Sequence, residues 1–288
     1  MADVAVVPPG SLVAVSAPPV QSPKTRRYIL ETLIILVGIG AAGIFVPYSL
    51  GQERIGDGRL WAWGCFALLL VLFMLVAGRA ITGVWNGAFI DDINKISLSR
   101  LQLILWTILI VSGFMAAAFS NVLVSGVSNP LGIAMPSQLL QLLGISTASL
   151  IGATLISAPK KNTIPNLDAQ TLAAKTAVVA TQNHLAPGNV TTTGVLIAKT
   201  SPQDARWSDL VTGVEISNGA HLDISRVQML FFTVVLVAAY TMALGKGLSS
   251  QTLDFTAFPS LDEGMIALLG ISHVGYLTMK AAPHTRIS

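Results

Sequence analysis

His273 and Glu31 stand out because each ionisable side chain falls inside an apolar stretch. An ionisable group at membrane depth is a functional hypothesis by default, since burying its charge in hydrocarbon is expensive. His273 offers proton handling or gating; the plainer alternative is a satisfied buried imidazole, with Tyr276 three residues on along the same helical face. Glu31 is a partner for Arg27 or Arg79, or else a coupling carboxylate. A second set occurs twice. Ser99-Arg100-Leu101-Gln102 opens one apolar run and Ser225-Arg226-Val227-Gln228 opens another. A hydroxyl follows an aromatic ring in both (Trp106-Thr107, Phe232-Thr233), and Pro-Ser and Leu-Gly-Ile-Ser come after. Gln102 to Gly144 and Gln228 to Gly270 are both 42 positions. Four landmarks in the same order predict a duplicated two-helix unit.

Two kinds of chemistry fit this set. In one, the arginines snorkel to lipid phosphates, the serines cap helix starts and the glutamines find hydrogen-bond partners across helices. In the other, Ser99, Arg100, Gln102 and Thr107 line a pore or bind a ligand together with Ser225, Arg226, Gln228 and Thr233. Gly144 with Ser146 and Gly270 with Ser272 predict close helix packing, or a weakly polar channel wall that His273 would join. The other copy has Thr147 at the position matching His273, so the histidine lies outside the shared framework.

The elements that hold these residues follow from composition. The chain of 288 residues is 52% hydrophobic and 11% charged, with mean hydropathy +0.68. Soluble domains carry about 25% charged residues. Six runs approach the roughly 20 residues that a helix needs to cross a bilayer: Tyr28–Leu50, Leu60–Leu75 extending toward Ile81, Leu101–Val122, Gln138–Ser157, Val227–Gly245 and Gly264–Met279. The expected fold is an all-α membrane protein of six transmembrane helices. It has an N-terminal hairpin (28–81) and two parallel two-helix repeats (82–157 and 225–280). A small α+β cytoplasmic insert (158–224) separates the repeats. Within the insert the composition predicts a helix over Asp168–Thr181, a strand over Val190–Ile197 and turn-like structure over Pro202–Glu215. Residues 1–27 read as a disordered cytoplasmic tail and 281–288 as a C-terminal one.

Charge placement sets the orientation. With the N-terminus inside, all but three (Arg54, Arg59, Lys246) of the 17 Lys and Arg residues fall on the cytoplasmic side, as the positive-inside rule requires. The basic balance is therefore topogenic, and without a basic cluster interleaved with aromatics no nucleic-acid partner is expected. The lone Cys65 excludes an intrachain disulfide. Gly38-Ile39-Gly40-Ala41-Ala42-Gly43 fits the dinucleotide fingerprint, but it lies mid-span and reads as a packing face. No P-loop, zincin, nucleophile-elbow or potassium-filter pattern occurs, and no catalytic residue, cofactor or metal is expected.

The run from Trp85 to Gln102, together with Ala205–Leu210, Leu261–Gly264 and Leu269–His273, resembles segments of an uncharacterised family of bacterial multi-pass inner-membrane proteins. That resemblance implies a bacterial cytoplasmic membrane and carries over no site residue. The expected function is a non-enzymatic membrane subunit or anchor for a cytoplasmic protein partner. The alternative is a self-associated channel for ions or small solutes, and a coupled transporter or membrane enzyme comes third.

Overall fold

The computed structural model describes residues 23–50, 54–124 and 126–286. The chain is mostly helical. Helices α1 (Pro23–Leu50) and α2 (Ile55–Thr82) form an antiparallel pair, followed by α3 (Leu98–Leu123) and α4 (Ser137–Asn162). A compact segment then holds α5 (Ala169–Gln182), the hairpin β1 (Val190–Thr193) and β2 (Leu196–Lys199), and short 3₁₀ turns; α6 (Ile224–Leu248) and α7 (Glu263–Ala281) complete the order. Four helices, α2, α3, α4 and α6, are long and apolar enough to cross a membrane. At about 1.5 Å per residue, the 28 residues of α2 reach about 40 Å, beyond a hydrocarbon core of about 30 Å.

Local chemistry sets the helix ends. Asp223 caps α6 by accepting from the backbone N–H groups of Ser225 and Arg226, and Asp262 caps α7 through Gly264. α2 stops at Gly83, whose φ of 79° suits a residue without a Cβ and returns its N–H to the Arg79 carbonyl. α3 starts one residue before Ser99, after Ser97, with no side-chain cap bond. Ser99 is thus inside the helix, so the capping role expected for it is not the one it fills. α1 begins at Pro23 and takes in Lys24 to Arg27, which the sequence assigned to the tail. The rest of that expected tail, residues 1–22, lies outside the described residues.

α3 is the central helix, packed against α2, α4 and α6, while α4 packs on α7 and α6 on α7. The main core joins Trp106, Leu109, Leu142, Tyr240, Leu244 and Leu269. Trp106 and Tyr240 meet edge-on at 6.0 Å, a geometry that the ring quadrupoles favour. At the end of the bundle away from α5, Ala134 pairs in parallel with Ala257, and buried Asn121 bonds Pro130 and Phe255. Two of the three fingerprint-like glycines pack on α2: a Cβ on Gly43 would lie 3.2 Å from Cys65 and Phe66 and one on Gly40 3.3 Å from Leu69, whereas nothing lies within 4 Å at Gly38.

The segment between α4 and α6 has its own small core of Val179, Ala180, Val190, Ile197 and Ile216. Its expected single strand is a two-stranded hairpin, because Gly194 at φ 59° lets the chain reverse after Thr193. A Cβ there would also collide with the Lys160 and Lys161 backbone. The stretch after β2 forms two 3₁₀ turns, Pro202–Asp204 and Trp207–Leu210. A second core, with Ile96, Leu98, Ala205, Leu210, Met229 and Tyr276, fastens this segment to the helices.

Candidate functional site

Ser99, Gln102 and Trp106 lie at helical spacing on one face of α3, and all three are fully buried. Gln102 Nε2 is 2.6 Å from His273 Nε2 of α7. Either the amide N–H donates to the ring nitrogen or, with the amide turned over, Nε2–H donates to Oε1. One turn nearer the helix start, the Ser99 hydroxyl lies 3.5 Å from both Ser149 Oγ and Tyr276 Oη. α3, α4 and α7 thus share a polar seam.

Four buried polar atoms at this seam make no hydrogen bond among the described residues: Gln102 Oε1, Trp106 Nε1, Ser272 Oγ and His273 Nδ1. Native interiors satisfy nearly all such groups; the other two among the described residues belong to Arg59, whose Nη2 donates to the Ser250 and Thr252 carbonyls. Other hydroxyls are spent locally. Thr107, Thr233 and Ser146 each donate to the carbonyl four residues earlier on their own helix, Leu103, Met229 and Leu142, as hydroxyl residues in helices often do.

The two matched Ser-Arg-x-Gln segments are used differently. Gln102 is buried, whereas Gln228 is exposed on the outer surface of α6. The reverse holds for the arginines. Arg226 is 4% exposed, stacked 5.5 Å over the Tyr276 ring, and donates to the Asp209 carbonyl. Arg100 is half-buried and makes no ion pair or side-chain hydrogen bond among the described residues. Ser225 donates to the Asp223 carboxylate beside the α6 cap. The packing expected at Gly144 is corrected, since nothing lies within 4 Å of a Cβ built there, and Gly270 meets Ile145 at an ordinary 3.8 Å. The tight approaches are elsewhere: a Cβ on Gly78 would come within 2.5 Å of the Ala88 backbone nitrogen.

Below the seam lies an ionic layer that the sequence reading passed over. Asp209 binds the Lys199 ammonium through both oxygens at 2.8 Å, and one of them also accepts from the Arg206 and Ile96 backbones. Burial pulls the Lys199 ammonium below its ordinary value, against the attraction of Asp209. Lys95 is fully enclosed and donates to the Gly213 carbonyl; burial lowers it to about 8, with Asp209 opposing. Lys160, at the end of α4, binds Glu215 and the carbonyls of Lys280 and Ala282. Glu215 in turn accepts from the backbone N–H groups of His284 and Thr285. The one available signal was a set of lone charges next to apolar residues, which the positive-inside count treated as topogenic.

Comparison with protein-family models, curated proteins and solved structures finds no match to this chain. Among the described residues, no three His, Cys, Asp or Glu side chains group as metal ligands.

Proposed function

We propose that this chain is a six-span subunit of the bacterial cytoplasmic membrane that anchors a protein partner on its cytoplasmic side. The observation that carries the reading is the placement of the two glutamines. Gln102 is enclosed against His273, and Gln228 faces outward. They share no common lining, as a pore built on the repeated motif would need. α1 and α7 supply the fifth and sixth spans, and both termini lie inside on the positive-inside count. The parallel pairing of Ala134 with Ala257, each two residues before a Pro-Ser, supports two parallel repeats. The segment 158–224 is then cytoplasmic and held rigidly by Asp209, Lys199 and Glu215, with Trp207 and Leu222 exposed for a partner.

The experiment is the mass of the complex purified in nanodiscs, with companions identified. A stable hetero-complex supports the anchor, and ion-selective conductance by the purified chain alone in liposomes overturns it. A second reading, an oligomeric channel for ions or small solutes, draws on the four unpartnered polar atoms around Gln102 and His273. A homo-oligomer that conducts, and loses conductance in Gln102→Leu while still folding, would favour it.

A further inference from the structure

Arg100 stands where two cavities meet. One, of about 80 Å³, is polar and lined by Asp91, Asp92, Ser97, Arg100, Ser157 and Lys280. The other, of about 300 Å³, is an apolar groove along Ala88, Leu103 and Ile104. Arg100, Leu150 and Thr154 line both. A polar chamber therefore continues into an apolar channel at the end of α3, the depth at which a snorkelling arginine meets lipid headgroups.

The charges in the chamber are incompletely matched. Arg100 has no anionic partner among the described residues. The Lys280 ammonium lies 5.9 Å over the Tyr276 ring, without a carboxylate in contact among the described residues. Asp91 spends Oδ1 on the backbone N–H groups of Ile93 and Lys95 and has no cation within ion-pair distance among the described residues. Burial pushes its carboxyl up, against the pull of those two donors and of Lys280. Asp92 pairs at the surface with Lys161.

From this arrangement we infer that the chamber and groove bind one phospholipid with a primary-amine headgroup, of the phosphatidylethanolamine class. The Arg100 guanidinium matches a phosphate through its fork of donors. The ammonium of the headgroup reaches Asp91 and Asp92, and an acyl chain lies along Leu103 and Ile104. A glycerol headgroup shares the phosphate but would bring no cation to the two carboxylates. A trimethylated amine would bring no N–H donor to them. The inference rests on the membrane reading above, and not on the anchoring role.

The test is native mass spectrometry of the full chain in detergent, titrated with phosphatidylethanolamine, phosphatidylglycerol or phosphatidylcholine of the same acyl chains. The expected result is retention of one phosphatidylethanolamine about tenfold tighter than either of the others, a difference of about 1.4 kcal/mol. Arg100→Gln should lose that binding about tenfold. Asp91→Asn keeps Oδ1 for the Ile93 and Lys95 backbones and should erase the preference over phosphatidylglycerol. Equal retention of the three lipids, preference for phosphatidylglycerol, or wild-type binding in a folded Arg100→Gln overturns the inference. Recovery of the chain in detergent-free buffer would instead sink the membrane reading, before any lipid is added.

Discussion

Gln102 of α3 and His273 of α7 are joined at 2.6 Å across 171 positions of sequence. This contact ties the first motif to an imidazole that the second motif's framework does not include. Interhelical hydrogen bonds in membranes average about 0.6 kcal/mol and reach about 1.7 kcal/mol. A double-mutant cycle of Gln102→Leu and His273→Phe should give a coupling energy inside that range, read from unfolding in mixed micelles. A coupling near zero would mean that the two side chains do not bond in the folded protein.

The arginine and glutamine of the second motif should behave oppositely to those of the first. Arg226→Met removes a buried cation from Tyr276 and from the Asp209 carbonyl. It should cost roughly 2 kcal/mol, less than a full buried pair because the partner Asp223 is partly exposed. Gln228→Leu changes an exposed side chain and should stay within about 0.5 kcal/mol. Thermal unfolding of the two variants in one detergent compares them directly.

Acid should release the C-terminal segment from Glu215. Burial alone would raise this carboxyl, but the Lys160 ammonium and the Thr285 and His284 backbone donors together hold it below the ordinary glutamate value. A depressed folded pKa contributes stability that is fully present above the unfolded value, about 4.3. It is lost as pH falls through the lower folded value. Hydrogen exchange at the His284 and Thr285 amides should accelerate across that acid window, beyond the intrinsic pH trend. Glu215→Gln should already show fast exchange at neutral pH.

Glycine substitutions separate the expected contact from the observed one. Gly144→Ala meets open space and should be neutral or gain up to about 1 kcal/mol from helix propensity. Gly78→Ala forces a Cβ onto the Ala88 backbone and should cost about 2–3 kcal/mol. Melting temperatures of the two variants would order them, and an equally tolerated Gly78→Ala would refute the tight crossing.

Much of this architecture is visible in the residues themselves. Uncharged runs mark α2, α3, α4 and α6 because hydrocarbon excludes charge. Asp168, just before an alanine-rich stretch, marks α5, and its carboxylate does accept from Thr171. Identical letters could not show why Gln102 is buried and Gln228 is not. α3 lies between α2, α4 and α6 and turns Gln102 onto His273 of α7, whereas α6 meets chiefly α7 and α3 and leaves Gln228 outside. The pairing of Asp209 with Lys199 and the Ile96 backbone is equally illegible. Its partners lie up to 113 positions apart, and local periodicity carries no information on who meets whom.

Lys160 finishes α4 but finds its partners only on Glu215 and on the last carbonyls of α7. Those groups emerge from the ribosome 55 to 122 residues after it. During synthesis the lysine must therefore wait, solvated, while the intervening segment and the final hairpin are made. Closure of this end of the bundle is a late event in biogenesis, and a chain stalled before Ala282 would carry its helices without the knot that gathers their ends.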